Sequence, residues 1–64
     1  MDKKRVLVLV RDVMRNMDIV EHAWEYDNIL LAREALTIVE SEIVAIRQLL
    51  EKASPGTGKE HAFH

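Results

Sequence analysis

The sequence predicts an all-α fold, an antiparallel two-helix hairpin that self-associates. Three observations carry that prediction. Apolar residues recur at alternating steps of three and four along two stretches. The register breaks once, at a short polar segment. Gly and Pro are missing from residues 2–54 and then arrive together.

In the first stretch the repeating residues are Val6, Val10, Val13, Met17, Val20 and Trp24, spaced 4, 3, 4, 3, 4. Such spacing holds a stripe on one side of a helix, the pattern of helices packed at a shallow angle. It predicts a helix over about residues 4–25. The second stretch, Ile29, Ala32, Leu36, Val39, Ile43, Ile46, Leu50 and Ala53, keeps the same alternation and predicts a helix over about 28–53. The step from Trp24 to Ile29 is five residues and breaks the register at Glu25–Asn28. Asp27 or Asn28 suits the N-cap of a second helix, because either side-chain oxygen can accept an otherwise unpaired N–H. A link this short makes the helices antiparallel neighbours. One continuous helix with a stutter stays open, since nothing between 25 and 28 forbids helix.

A chain of 64 residues holds one domain. With 48% apolar residues it is not disordered by composition. The absence of Cys excludes a disulfide framework, a thiolate metal site and a Cys nucleophile. In a chain this short, burial at ~25 cal/mol per Å² barely offsets ~1.5 kcal/mol of ordering entropy per residue. Oligomerisation is the expected source of the missing stability, with a dimeric four-helix bundle as its form. The composition shift at "SPGTGKEHAFH" divides the chain into a helical hairpin domain, 1–53, and a flexible C-terminal tail, 54–64.

The apolar surface exceeds what one hairpin needs. Leu7, Val8 and Leu9 fill positions beside and behind the first stripe. Leu31, Ala35, Ile38, Ala45 and Leu49 widen the second, and Val44 lies outside even that arc. A helix with so wide an arc is covered by more than one neighbour. Self-association is assigned to Val6, Val10, Val13, Met17, Val20, Trp24, Ile29, Leu36, Val39, Ile43, Ile46 and Leu50. Binding of a different protein is assigned to Leu7, Val8, Leu9, Leu31, Ile38, Val44 and Leu49.

The net charge of −2 gives no global pull toward nucleic acid or anionic lipid. The charge is uneven, however: basic residues dominate up to Arg15, and Asp18, Glu21 and Glu25 follow with no basic residue among them. "MDKKRVLVLVRD" mimics a signal peptide, but its apolar run of five residues falls short of the roughly seven to fifteen a signal core uses. A cytoplasmic location is expected.

Two stretches suggest chemistry. "EHAWEYDN" holds the only Trp and the only Tyr, and Asp18, His22 and Glu25 stand at spacings that let their side chains touch. That trio could hold a divalent metal weakly. Di-iron bundles use Glu-x-x-His with inward ligands, whereas here Glu21 and His22 are adjacent and the stripe phase turns the trio outward. A solvated helix face is the expectation, with Trp24 capping the core and Tyr26 over the turn. "PGTGK" looks like the centre of a P-loop, but Ala53 stands in place of the first Gly, Glu60 in place of the hydroxyl residue, and no strand precedes. His61 and His64 could chelate only loosely, and Phe63 could be a short docking motif. No cofactor and no enzymatic activity are expected.

"RVLVLVR" also reads as a buried strand, since Val favours β structure. A strand, helix, turn, helix layout over residues 3–45 resembles the ribbon-helix-helix family of dimeric DNA-binding repressors and antitoxins. The resemblance implies strands paired across a dimer, with outward polar side chains in the major groove. Val6, Val8 and Val10 on one strand face, and Leu7 and Leu9 on the other, offer no base-reading donor. Lys3, Lys4 and Arg5 would contact phosphates.

The expected function is that of a small non-enzymatic adaptor, inhibitor or regulator that binds another protein through a helix face. The alternatives are a ribbon-helix-helix repressor or antitoxin and a weak metal-binding helical bundle. The expected partners are a second copy of the chain and another protein, with neither nucleic acid nor membrane.

Overall fold

A computed structural model describes residues 3–53 as two helices, α1 (Lys3–Glu25) and α2 (Ile29–Ala53), packed side by side as an antiparallel hairpin. No Gly or Pro interrupts either helix. The N-terminal residues 5–11 are helix, not strand. This overturns the ribbon-helix-helix alternative. Residues 3–25 form one uninterrupted helix, so no strand is present at Val6 to Val10 for a partner copy to pair with. The helix pairs its backbone groups internally and half-buries Val6, Leu9 and Val10.

The turn is built from hydrogen bonds rather than from glycine. The Asn28 N–H donates to the Ala23 carbonyl at 2.7 Å, and the Asp27 N–H donates to the Trp24 carbonyl at 3.1 Å. These two bonds define a Schellman cap, whose left-handed position is usually Gly. Asp27 occupies it here, with φ of 60°. Asn28 then caps α2. Its side-chain Oδ1 accepts from the Leu31 N–H at 3.2 Å, and its backbone carbonyl accepts from Ala32 at 3.1 Å. The continuous-helix alternative is thereby closed.

The contact between the helices is not the one the largest apolar stripes suggest. The buried residues are Ala23, Ala35, Val39 and Asn16. Val13, Val20, Ala32, Glu42, Ile46 and Leu49 flank them, half-buried. Met17, Trp24, Ile29, Leu36, Ile43 and Leu50, expected at the helix–helix contact, are all exposed. At 100° per residue the observed contact line is rotated by roughly 50° from the expected one on each helix. The physical reason is close approach. Ala23 and Ala35 let the backbones come together, while Met17, Trp24 and Leu36 are too large to fit between them and stand on one flank.

No side chain is fully buried among the described residues, and the apolar core is two alanines and one valine. The molecule measures 45 × 24 × 13 Å, one helix thick. Stable domains are built from at least two packed layers. The expected tail with its "PGTGK" stretch, His61, Phe63 and His64 lies outside the described residues.

Candidate protein interaction surface

A step of seven residues returns a helical side chain to within about 20° of its starting direction. Ile29, Leu36, Ile43 and Leu50 therefore form one stripe on α2, and Val10, Met17 and Trp24 form the matching stripe on α1. The two stripes share one broad face. At its open end Lys3, Val6 and Leu7 line a shallow groove with Leu50. Alongside it Ile43, Ile46, Arg47, Leu50 and Glu51 line a second. Trp24 is 66% exposed and Leu36 41%. The expectation that Trp24 caps the core is corrected: its neighbour Ala23 points at α2, and Trp24 points past it.

The opposite face carries Ile19 of α1 with Leu31 and Ile38 of α2, all exposed. Near the turn, Ile19, His22, Tyr26 and Leu31 line an open groove of about 410 Å³ together with Arg15 and Asp18. At the open end this face becomes polar, where Arg5, Gln48 and Lys52 surround Ala45 and Leu49.

Of the residues assigned to self-association, Val39 is buried, Val6, Val10, Val13, Val20 and Ile46 are half-buried between the helices, and the other six face solvent. Of those assigned to a protein partner, Leu7, Val8, Leu31, Ile38 and Val44 are exposed. Leu9 and Leu49 are instead half-buried at the hairpin contact. Neither is positioned on the free surface, because the rotated contact line runs through both.

His22 stands on the exposed side of α1, and its Nδ1 lies 2.9 Å from the Asp18 backbone carbonyl. That hydrogen bond raises the imidazole above its ordinary value. Desolvation opposes it in part, and the nearby carboxylates of Glu25, Glu21 and Asp18 push the same way as the hydrogen bond. Asp18 meets His22 through its backbone oxygen. Among the described residues no three His, Asp or Glu side chains converge to hold a metal ion.

The sequence reading missed a polar cluster in the middle of the hairpin contact. Asn16 donates through Nδ2 to the Asp12 backbone carbonyl at 2.9 Å and to Asp12 Oδ2 at 3.1 Å. Arg15 pairs with Asp12 Oδ1 at 3.1 Å. From α2, Glu42 faces the same group, with its Oε1 closed off from solvent and unpartnered. A side-chain hydrogen bond to Asp12 is the largest cause raising the Glu42 carboxyl above the usual range. Desolvation and repulsion from Asp12 add to this, and Arg15 opposes it. The signal was available: 9-13-16-20-23 on α1 and 35-39-42-46-49 on α2 keep the three-four spacing. Each contains one polar residue, so a search for purely apolar stripes passes over them.

Among the described residues no helix is long and apolar enough to cross a membrane. Fold and surface define a small amphipathic helical hairpin with apolar side chains on both broad faces. No protein-family model, curated protein or solved structure matches the chain.

Proposed function

We propose that this chain is a small, non-enzymatic, cytoplasmic protein-binding module, an adaptor, inhibitor or regulator that works as a self-associated helical hairpin. The dimeric four-helix bundle is its simplest assembly. One observation carries the reading. Among the described residues the hairpin buries only Ala23, Ala35 and Val39 as apolar core and leaves Met17, Trp24, Leu36, Ile43 and Leu50 in water. A helix pair with its larger apolar side chains outside is completed by further helices, because removal of those side chains from water is the main favourable contribution still available. Binding of a different protein is supported by Val8 and Val44, which lie outside the helix–helix contact and are exposed.

The test is affinity capture from the native host with the tagged full chain, beside Val8→Asp and Val44→Asp. The expected result is a captured protein that both variants lose while keeping their helical signal at high concentration. An exposed Val→Asp change shifts stability within about ±0.5 kcal/mol, whereas an interface must desolvate the new carboxylate at a cost of several kcal/mol. If both variants assemble and capture as the natural chain does, these two valines are incidental and the partner-binding half of the reading fails.

A further inference from the structure

The two broad faces differ in charge and in continuity, and that difference selects one of them for a second copy of the chain. We infer that the hairpin dimerises through the face carrying Met17, Trp24, Leu36 and Ile43, and that the Ile19–Ile38 face stays outside the dimer. The inference rests on the self-associating reading above and names its surface.

Three observations support it. The first is continuity. Ile29, Leu36, Ile43 and Leu50 run the length of α2 at steps of seven, and Val10 with the exposed Met17 and Trp24 keeps the same step on α1. On the other face the large side chains Leu31 and Ile38 give way to Ala45 and then to Gln48 and Lys52.

The second is area. A helix of 25 residues is ~37 Å long, and two side by side are ~20 Å across. That face offers on the order of 750 Å², close to the ~800 Å² each partner contributes to a stable interface.

The third is charge. The residue four positions after each of Ile29, Leu36 and Ile43 sits on the outer edge of the stripe; these are Arg33, Glu40 and Arg47. Glu51 extends that edge, and Lys3, Glu21 and Glu25 lie along the corresponding edge of α1. Both signs alternate along these edges in nearly equal number, so the face is compatible with its own copy. The opposite face carries polar and charged groups in its grooves at both ends: Arg15, Asp18 and His22 near the turn, and Arg5, Gln48 and Lys52 at the open end. A second copy seated there would have to desolvate them.

The rotated helix contact fits the same picture. A three-four apolar stripe that straddles the hairpin contact and one outer flank covers two contacts, one within the chain and one between chains. In a four-helix bundle the core is shared in this way among all the helices.

The experiment uses sedimentation velocity on the full chain, with Leu36→Glu and Ile43→Glu on one face and Ile19→Glu and Ile38→Glu on the other. The first pair should weaken the dimer by at least about a hundredfold, and the second pair by less than about threefold. Because the glutamate variants of a coupled dimer can unfold, single-cysteine variants provide a second readout in a chain with no natural cysteine. A short bifunctional maleimide should link copies carrying Leu36→Cys or Ile43→Cys at least about tenfold faster than copies carrying Ile38→Cys. Preferential loss of the dimer in the Ile19 and Ile38 variants, or faster linking at position 38, overturns the chosen face and leaves self-association standing. A natural chain that stays monomeric overturns both.

Discussion

The Asn28 N–H reaches back to the Ala23 carbonyl at 2.7 Å, closing α1 over an aspartate held at φ of 60°. Left-handed backbone costs an L-residue roughly 1–2 kcal/mol, less for Asp, and nothing for Gly. Asp27→Gly should therefore raise stability by about 0.5–1 kcal/mol, after allowance for the greater freedom glycine has in the unfolded chain. Asp27→Val should lower stability by about 1–2 kcal/mol, since a β-branched residue tolerates this conformation worst. Urea unfolding at fixed protein concentration checks both signs. A destabilised Asp27→Gly would mean that the Asp27 side chain, not its backbone, holds the turn.

Asn28 is the N-cap of α2 through its Oδ1 bond to the Leu31 N–H. Asn28→Ala should cost about 1 kcal/mol, and Asn28→Asp or Asn28→Ser should retain most of the stability. The same unfolding measurement decides it. Equal losses in all three variants would assign the effect to the turn geometry instead of the cap.

Acidification should stabilise the hairpin over a window where many proteins weaken. Glu42 is raised above its ordinary value of 4.5, first by the hydrogen bond to Asp12 and then by desolvation and repulsion. The folded chain therefore holds a proton that the unfolded chain has released. The resulting stability is complete below 4.5 and is lost as pH rises through the elevated folded value. His22, raised from 6.5 mainly by its bond to the Asp18 carbonyl, acts in the same direction at higher pH. Its contribution is complete below 6.5 and is lost as pH rises through its folded value. The thermal midpoint should be higher near pH ~5 than near pH ~8. Glu42→Gln should raise the midpoint at neutral pH and flatten the acid part of the profile, and His22→Ala should flatten the upper part. A midpoint that falls steadily from neutral pH toward pH ~5 contradicts the assignment.

The outer stripe should matter little to the fold. Asp18→Asn and Glu25→Gln replace exposed side chains that make no ion pair among the described residues. Surface groups of this kind contribute roughly 0–1 kcal/mol even when paired. Helical circular dichroism and the thermal midpoint should stay within error of the natural chain. Stoichiometric binding of a transition metal, lost when both changes are combined with His22→Ala, would restore a site at this stripe.

The helix boundaries were legible because they are local. A broken three-four register and an Asn at the cap position mark the turn without reference to any distant residue. The helix phase was not legible in the same way. Both the stripe through Met17 and Leu36 and the stripe through Asn16 and Ala35 keep the heptad spacing. Choosing between them needs the width of the gap between the helices, which Ala23 and Ala35 set only once the hairpin has closed. The strand reading of residues 5–11 arose from the β preference of valine. That preference is a few tenths of a kcal/mol per residue and yields to tertiary context. The Glu42–Asp12 contact joins residues thirty positions apart, and nothing local announces it.

The central claim is that the hairpin is completed by a second copy. It is tested most directly by following the thermal unfolding midpoint of the full chain over about a hundredfold range of concentration, with the mass measured by equilibrium sedimentation at each end. For a dimer that unfolds to separate chains, mass action requires the midpoint to rise with concentration. That rise is the expected result, with a mass of twice the chain or more at the upper end. A midpoint independent of concentration, with the mass of one chain throughout, would contradict it.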